Sequence, residues 1–260
     1  VTGENGKITI NELRPGTYQL VETKAPDGYV LDETPIKFEV PLDPKEPVII
    51  SKKNLYETSA LEVMKEGEDG KKLQGVRFEV LDQNDKVVRK DLTTDEDGKL
   101  LVDNLKPGKY QLVETESVDG YQKNNKPYPF TIEVAQKTPA EIKVINDLKT
   151  GSVQLTKLGE KDDVLEGAEF KLVDANGKEI KTGLVTDQNG KIIVNDLKPG
   201  TYQFVETKAP FGHELDETPV TFAIPFNPEK LVSVTKENSR KTGGVLLHKK
   251  GEDGKSLEGV

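Results

Sequence analysis

Along this chain apolar residues recur at every second position in short runs. That is the period of a β-strand with one buried face. Between residues 151 and 242 the runs are VQLTK (153–157), EFKLVD (169–174), KIIVND (191–196), TYQFVET (201–207), TPVTFAI (218–224) and LVSVTKEN (231–238). Turn signals separate them: DANGK, TDQNGK and LKPGTY, in which Asn-Gly and Pro-Gly pairs favour tight reversals. No stretch carries a helical period. Short strands at this spacing predict an all-β fold of the sandwich type.

The pattern repeats every 92 residues. Glu22, Glu114 and Glu206 lie in YQLVETKAPDGY, YQLVETESVDGY and YQFVETKAPFGH, and Asn54, Asn146, Asn238 and Lys65, Lys157, Lys249 keep the same step. This phasing predicts four segments: 1–58 as the C-terminal part of a module, 59–150 and 151–242 as complete modules, and 243–260 as the N-terminal strand of a further one. The expected architecture is a set of tandem β-sandwich modules in an elongated array.

Strand parity then identifies candidate chemistry. Side chains alternate faces along a strand. Lys65 shares a face with Leu61 and Val63, Glu114 with Tyr110 and Leu112, and Asn146 with Ile142 and Val144. Lys157, Glu206 and Asn238 repeat this parity. Lys236 falls on the same face as Val232, Val234 and Asn238, an irregularity that a bulge or strand end would resolve. Burial disfavours the charged forms of Lys and Glu, so the amine becomes a nucleophile and the carboxyl a proton carrier. An amine beside a carboxamide can expel ammonia and form a Lys–Asn isopeptide bond. Two simpler readings stand beside this one. The three groups could form a buried salt bridge with a hydrogen-bonded Asn, or a shifted parity could place all three on the surface.

Composition narrows the function classes. The net charge is −9, which disfavours nucleic acid and anionic membranes as partners. There is no cysteine, so no disulfide can brace a core built from 33% hydrophobic residues. No apolar run approaches the length of a membrane span. Asp/Gly loops such as TDEDGK lack the ligand ladder of a calcium loop and read as turns. His213 and His248 have no partner at ligand spacing. No metal or cofactor is expected. Tyr18, Tyr110 and Tyr202 carry core parity and read as core residues rather than as a binding platform. One core-parity Glu per unit leaves a paired-carboxylate hydrolase without its second acid.

The pattern from VxLxK through LEGAEFKLVD and VETKAPxG to VxN resembles the collagen-adhesin B-type, or SpaA-like, domain found in surface proteins and pili of Gram-positive bacteria. The resemblance covers essentially the whole chain and implies an immunoglobulin-like, prealbumin-like sandwich. It also implies that the first-strand Lys bonds to the last-strand Asn, promoted by the Glu. Carried over, Lys65 pairs with Asn146 through Glu114, and Lys157 with Asn238 through Glu206. Glu22 and Asn54 belong to a unit without its Lys, and Lys249 to one without its Glu and Asn. The departures are Ser117-Val118 for Ala-Pro and His213 for Tyr, both expected to affect loop shape rather than the bond.

The function expected is that of structural stalk repeats of a cell-wall-anchored extracellular adhesin. Each complete module locks itself in a single turnover and is not otherwise an enzyme. The alternatives are a module that binds a host matrix ligand and a pilin subunit. The partners expected are neighbouring modules of the same chain, with any host matrix protein engaged through other regions, and the chain is expected to be a monomer.

Overall fold

The computed structural model describes residues 1–259; Val260, the last residue of the predicted segment 243–260, lies outside them. Among the described residues every regular element is a strand. Segment 1–58 holds β1 (Gly16–Leu20) and β2 (Ile36–Val40), an antiparallel pair. Then come β3 (Ser59–Gly67), β4 (Arg77–Asp82), β5 (Val87–Thr93), β6 (Lys99–Leu105), β7 (Gly108–Glu116), β8 (Tyr128–Ile132) and β9 (Ala140–Asn146). The same seven recur as β10 (Gly151–Gly159), β11 (Glu169–Asp174), β12 (Glu179–Val185), β13 (Lys191–Leu197), β14 (Gly200–Lys208), β15 (Val220–Ile224) and β16 (Val232–Asn238).

Each set of seven makes a three-stranded and a four-stranded sheet. The orders are β6-β3-β9 with β5-β4-β7-β8, and β13-β10-β16 with β12-β11-β14-β15. In the second set one apolar cluster joins the two layers: Val153, Leu155 and Ile192 belong to one sheet, and Phe170, Phe204 and Phe222 to the other. Phe204 stacks on Phe222 at 5.3 Å and meets Phe170 edge-on at 6.2 Å. Burying one such side chain stabilises by roughly 1.5–3 kcal/mol.

β5 and β12 are absent from the strands read in the sequence. β12 lies at a sheet edge and is exposed along nearly its whole length, so no apolar alternation marks it. The expected irregularity in β16 is absent as well. β16 runs unbroken beside β10 from Val232 to Asn238, and Lys236 points inward and is buried. The pattern at 7–13 and 48–54 corresponds in phase to β6 and β9, yet neither stretch is a strand. β6 and β9 both pair with β3, and 1–58 contains no counterpart of that middle strand. Residues 243–249 likewise form no strand, and Val245, Leu246 and Leu247 are exposed.

The turns follow their residue chemistry. Asp174 accepts the backbone N–H groups of Asn176 and Lys178 through Oδ1, and Asp187 those of Asn189 and Lys191. Tyr18, Tyr110 and Tyr202 each donate their hydroxyl to a carbonyl four residues earlier, at 2.8, 2.9 and 2.9 Å. Each ring stacks on a phenylalanine of the adjoining strand, Phe38, Phe130 or Phe222. These tyrosines therefore pin the Pro-Gly turn to the sheet.

Candidate functional site

Strand alternation carries polar groups into both cores. Lys65, Glu114 and Lys157 are 0% exposed, Asn146 and Glu206 1%, and Asn238 3%. The reading that placed them on the surface is therefore excluded. First and last strands lie side by side and parallel, so Lys65 faces Val144 while Gly67 faces Asn146. Lys157 and Gly159 face Lys236 and Asn238 in the same way. Lys and Asn are thus two positions apart on one face, within the diagonal reach of a long side chain. The glycine opposite each Asn presents no side chain to block that reach.

The Glu comes from the opposite layer. Glu114 pairs with Phe78 and Glu206 with Phe170, and in each ladder the register shifts immediately after the Glu. Such a bulge re-aims the neighbouring side chain. Glu114 Oε1 accepts Asn146 Nδ2 at 2.6 Å, and its Oε2 lies 3.9 Å from Lys65 Nζ. Glu206 receives Asn238 Nδ2 on both oxygens, at 3.0 and 2.9 Å. Lys65 Nζ donates to Glu66 O at 3.2 Å, and Lys157 Nζ to Leu158 O and Lys236 O at 3.3 and 3.2 Å. Among the described residues neither Asn146 Oδ1 nor Asn238 Oδ1 accepts a hydrogen bond.

Burial sets the electrostatics. It brings Lys65 down to about 8, although the Glu114 carboxylate favours the ammonium. It brings Lys157 down to about 8 as well, opposed by Glu206. Burial raises Glu114, opposed by the Asn146 hydrogen bond and by Lys65. A lowered amine and a raised carboxyl can exchange a proton at little cost. The carboxyl meets the amide nitrogen, the atom that departs in transamidation, and the amide oxygen is left for other donors.

Two further residues belong to this constellation. Asn146 Nδ2 also donates to Ser117 Oγ at 2.9 Å. Asn238, whose unit has Ala209 at that position, instead donates to Glu214 O at 2.8 Å. The Ser117 departure thus falls at the site itself, where it replaces a carbonyl acceptor. Asp216 donates its backbone N–H to Glu206 Oε2 at 3.0 Å. Repeat comparison would have flagged Asp216, because Asp32 stands in the same phase and donates in the same way to Glu22 at 3.1 Å. Asn54 Nδ2 reaches both Glu22 oxygens at 2.8 Å, so the Glu–Asn pair forms there without a first-strand Lys. Lys249 is exposed and, among the described residues, joins no such pair. His213 occupies the position of Tyr29 and Tyr121, buried with Nδ1 against Phe211 O at 3.1 Å.

A family model described as the SpaA prealbumin-like fold domain matches residues 1–54, 59–147 and 151–240. The chain is similar to Colossin-A of Dictyostelium discoideum, with 30% identity over 226 residues, covering 76% of this chain and 2% of that protein. Among solved structures it is similar to the Bacillus anthracis TIE protein, with 29% identity over 91% of this chain and 44% of that one, at a TM-score of 0.48. It is also similar to a streptococcal ancillary pilin, with 25% identity over 88% and 76% of the two chains, at a TM-score of 0.36. The chain thus spans only a small part of the curated relative and less than half of the first of these structures. With three matches that together take in nearly all of its residues, this chain belongs to the SpaA family of prealbumin-like fold domains.

Proposed function

We propose that these are load-bearing stalk repeats of a Gram-positive cell-wall-anchored surface protein. Units 59–150 and 151–242 would each be locked by one Lys–Asn isopeptide bond. The observation that carries the reading is the buried Lys–Glu–Asn set, built twice at equivalent positions between the first strand, the last strand and the opposing sheet. The neutral Lys Nζ attacks the Asn Cγ. The new C–N bond forms as the old one breaks, one amine proton passes through the Glu carboxyl to the departing nitrogen, and ammonia leaves. The product removes an ionisable group from each core, where an unpaired charge costs several kcal/mol.

Intact-mass measurement tests this directly. The expected value is the sequence mass less two molecules of ammonia, and the full sequence mass would falsify the reading. The bond should also change the response to pH. In an Asn146→Ala, Asn238→Ala chain both Lys residues stay ionisable. Each is lowered to about 8 by burial, so between pH 8 and the ordinary Lys range the unfolded state binds more protons. Stability of that variant should therefore rise with pH across this window, and the wild type should lack this rise. Equal slopes for the two chains in thermal melts across the window would count against bonded lysines.

A further inference from the structure

Unit 151–242 carries an inward-facing charged pair that unit 59–150 lacks. Lys236 is inward-facing, only 7% exposed, and registered directly opposite Lys157. Its Nζ donates to Asp216 Oδ2 at 2.5 Å and to Thr218 O at 2.8 Å, and its carbonyl accepts Lys157 Nζ at 3.2 Å. Asp216 in turn holds Glu206 Oε2 through its backbone N–H. One connected path therefore runs from Lys157 through Lys236 and Asp216 to Glu206 and Asn238. Unit 59–150 has Val144 and Asn124 at these positions. There the backbone contact to the Glu lengthens to 3.4 Å, and the Asn124 side chain turns to Tyr128 Oη and Ile145 O. In segment 1–58, Lys52 pairs with Asp32 and with Thr34 O although no first-strand Lys is present. The pair is thus a preformed feature that does not depend on the reacting amine.

We propose that the Lys236–Asp216 ion pair is a positioning device that tunes Lys157 for crosslinking, so that the two units close their bonds under different control. This rests on the isopeptide reading above. A second cation on the inward face disfavours another ammonium beside it, whereas the carboxylate favours one. The charged groups that act on Lys157 are Glu206 from β14, Lys236 and Glu237 from β16, and Asp216 from the β14–β15 connection. Lys236 opposes the ammonium there, and Glu206, Asp216 and Glu237 support it. Asp216 is itself held down to about 2, first by the hydrogen bond from Lys236. The pair thus sets opposing charges next to the reacting amine while fixing the loop that presents the N–H to Glu206.

The test uses Lys236→Val and Asp216→Asn, each taking the residue unit 59–150 carries at that position, so both are compatible with the fold. The full chain, assembled by chemical ligation in denaturant, is diluted into a series of buffers and quenched at intervals. Peptide mapping then scores ammonia loss in each unit. Lys236→Val should move the pH of half-maximal rate for unit 151–242 upward by about one unit, because the cation is lost and the carboxylate is left unpaired. Asp216→Asn should move it downward by a similar amount, with its backbone N–H retained. Unit 59–150 in the same molecules should keep its profile. Opposite shifts support the proposal, since a merely structural role would slow the reaction in both variants without moving the midpoint in opposite directions. Unmoved midpoints, or shifts in one common direction, overturn it while leaving the crosslink itself intact. Absence of ammonia loss from both wild-type units at every pH overturns the isopeptide reading and this proposal together.

Discussion

Replacing Glu206 by Gln is expected to leave unit 151–242 largely unbonded while unit 59–150 still loses its ammonia. Gln keeps the size of the side chain and one oxygen to accept from Asn238, so the core stays filled. It cannot take a proton from the amine and pass it to the leaving nitrogen. Proton transfer by a positioned side chain typically contributes about 10²–10⁴-fold to a rate. The change should therefore turn a reaction completed on folding into one that is slow on the same timescale. Glu114→Gln should do the same in its own unit alone. The two sites share no residue, so each unit serves as the control for the other. Peptide mapping after folding reads the result, and normal ammonia loss at the substituted site would remove the Glu from the mechanism.

The second large effect is mechanical. Each proposed bond joins residues 81 apart in sequence. If the loop-closure cost found for disulfides transfers, closing such a loop stabilises by roughly 4.5 kcal/mol through the unfolded chain. That is a large share of the stability of a single domain. Under tension the difference is larger still. Without the bond, an unfolding unit releases the chain between Lys65 and Asn146, about 280 Å at some 3.4 Å per residue. With it, load passes from the first strand to the last, and the 11 peptide bonds from Asn146 to Lys157 remain in the path between bonds. Single-molecule pulling on the Asn146→Ala, Asn238→Ala chain should show unfolding steps of that length, and the wild type none. Steps of equal length in the two chains would leave the tether interpretation without support.

Much of the site was legible in the sequence because strands have a period of two. Lys65, Glu114 and Asn146 share parity with apolar neighbours, and burial follows from that parity once the strands pair. The 92-residue repeat supplied a second copy of each residue, so the set stood out from isolated polar groups. What escaped were features that depend on partners far along the chain. β12 left no apolar trace because an edge strand buries little. Ser117 looked like a loop substitution, yet the fold brings its hydroxyl to Asn146. Lys236 looked like an interruption of the pattern, because parity places it in the core but only the packed loop at Asp216 provides the counter-charge that makes burial tolerable.

By itself, then, the sequence determined most of the strand pattern, the repeat, and the parity that Lys, Glu and Asn share with their apolar neighbours. These are local properties of alternation and turn chemistry. Only the tertiary structure decided the parallel pairing of first and last strands, the two-residue offset of Lys from Asn, and the approach of Glu across the sandwich. It also decided that 7–13 and 48–54 stay out of the sheets. The physical reason is that a strand's hydrogen bonds are completed by another strand. Sequence period can mark a segment as able to pair, but only the assembled sheet supplies the partner.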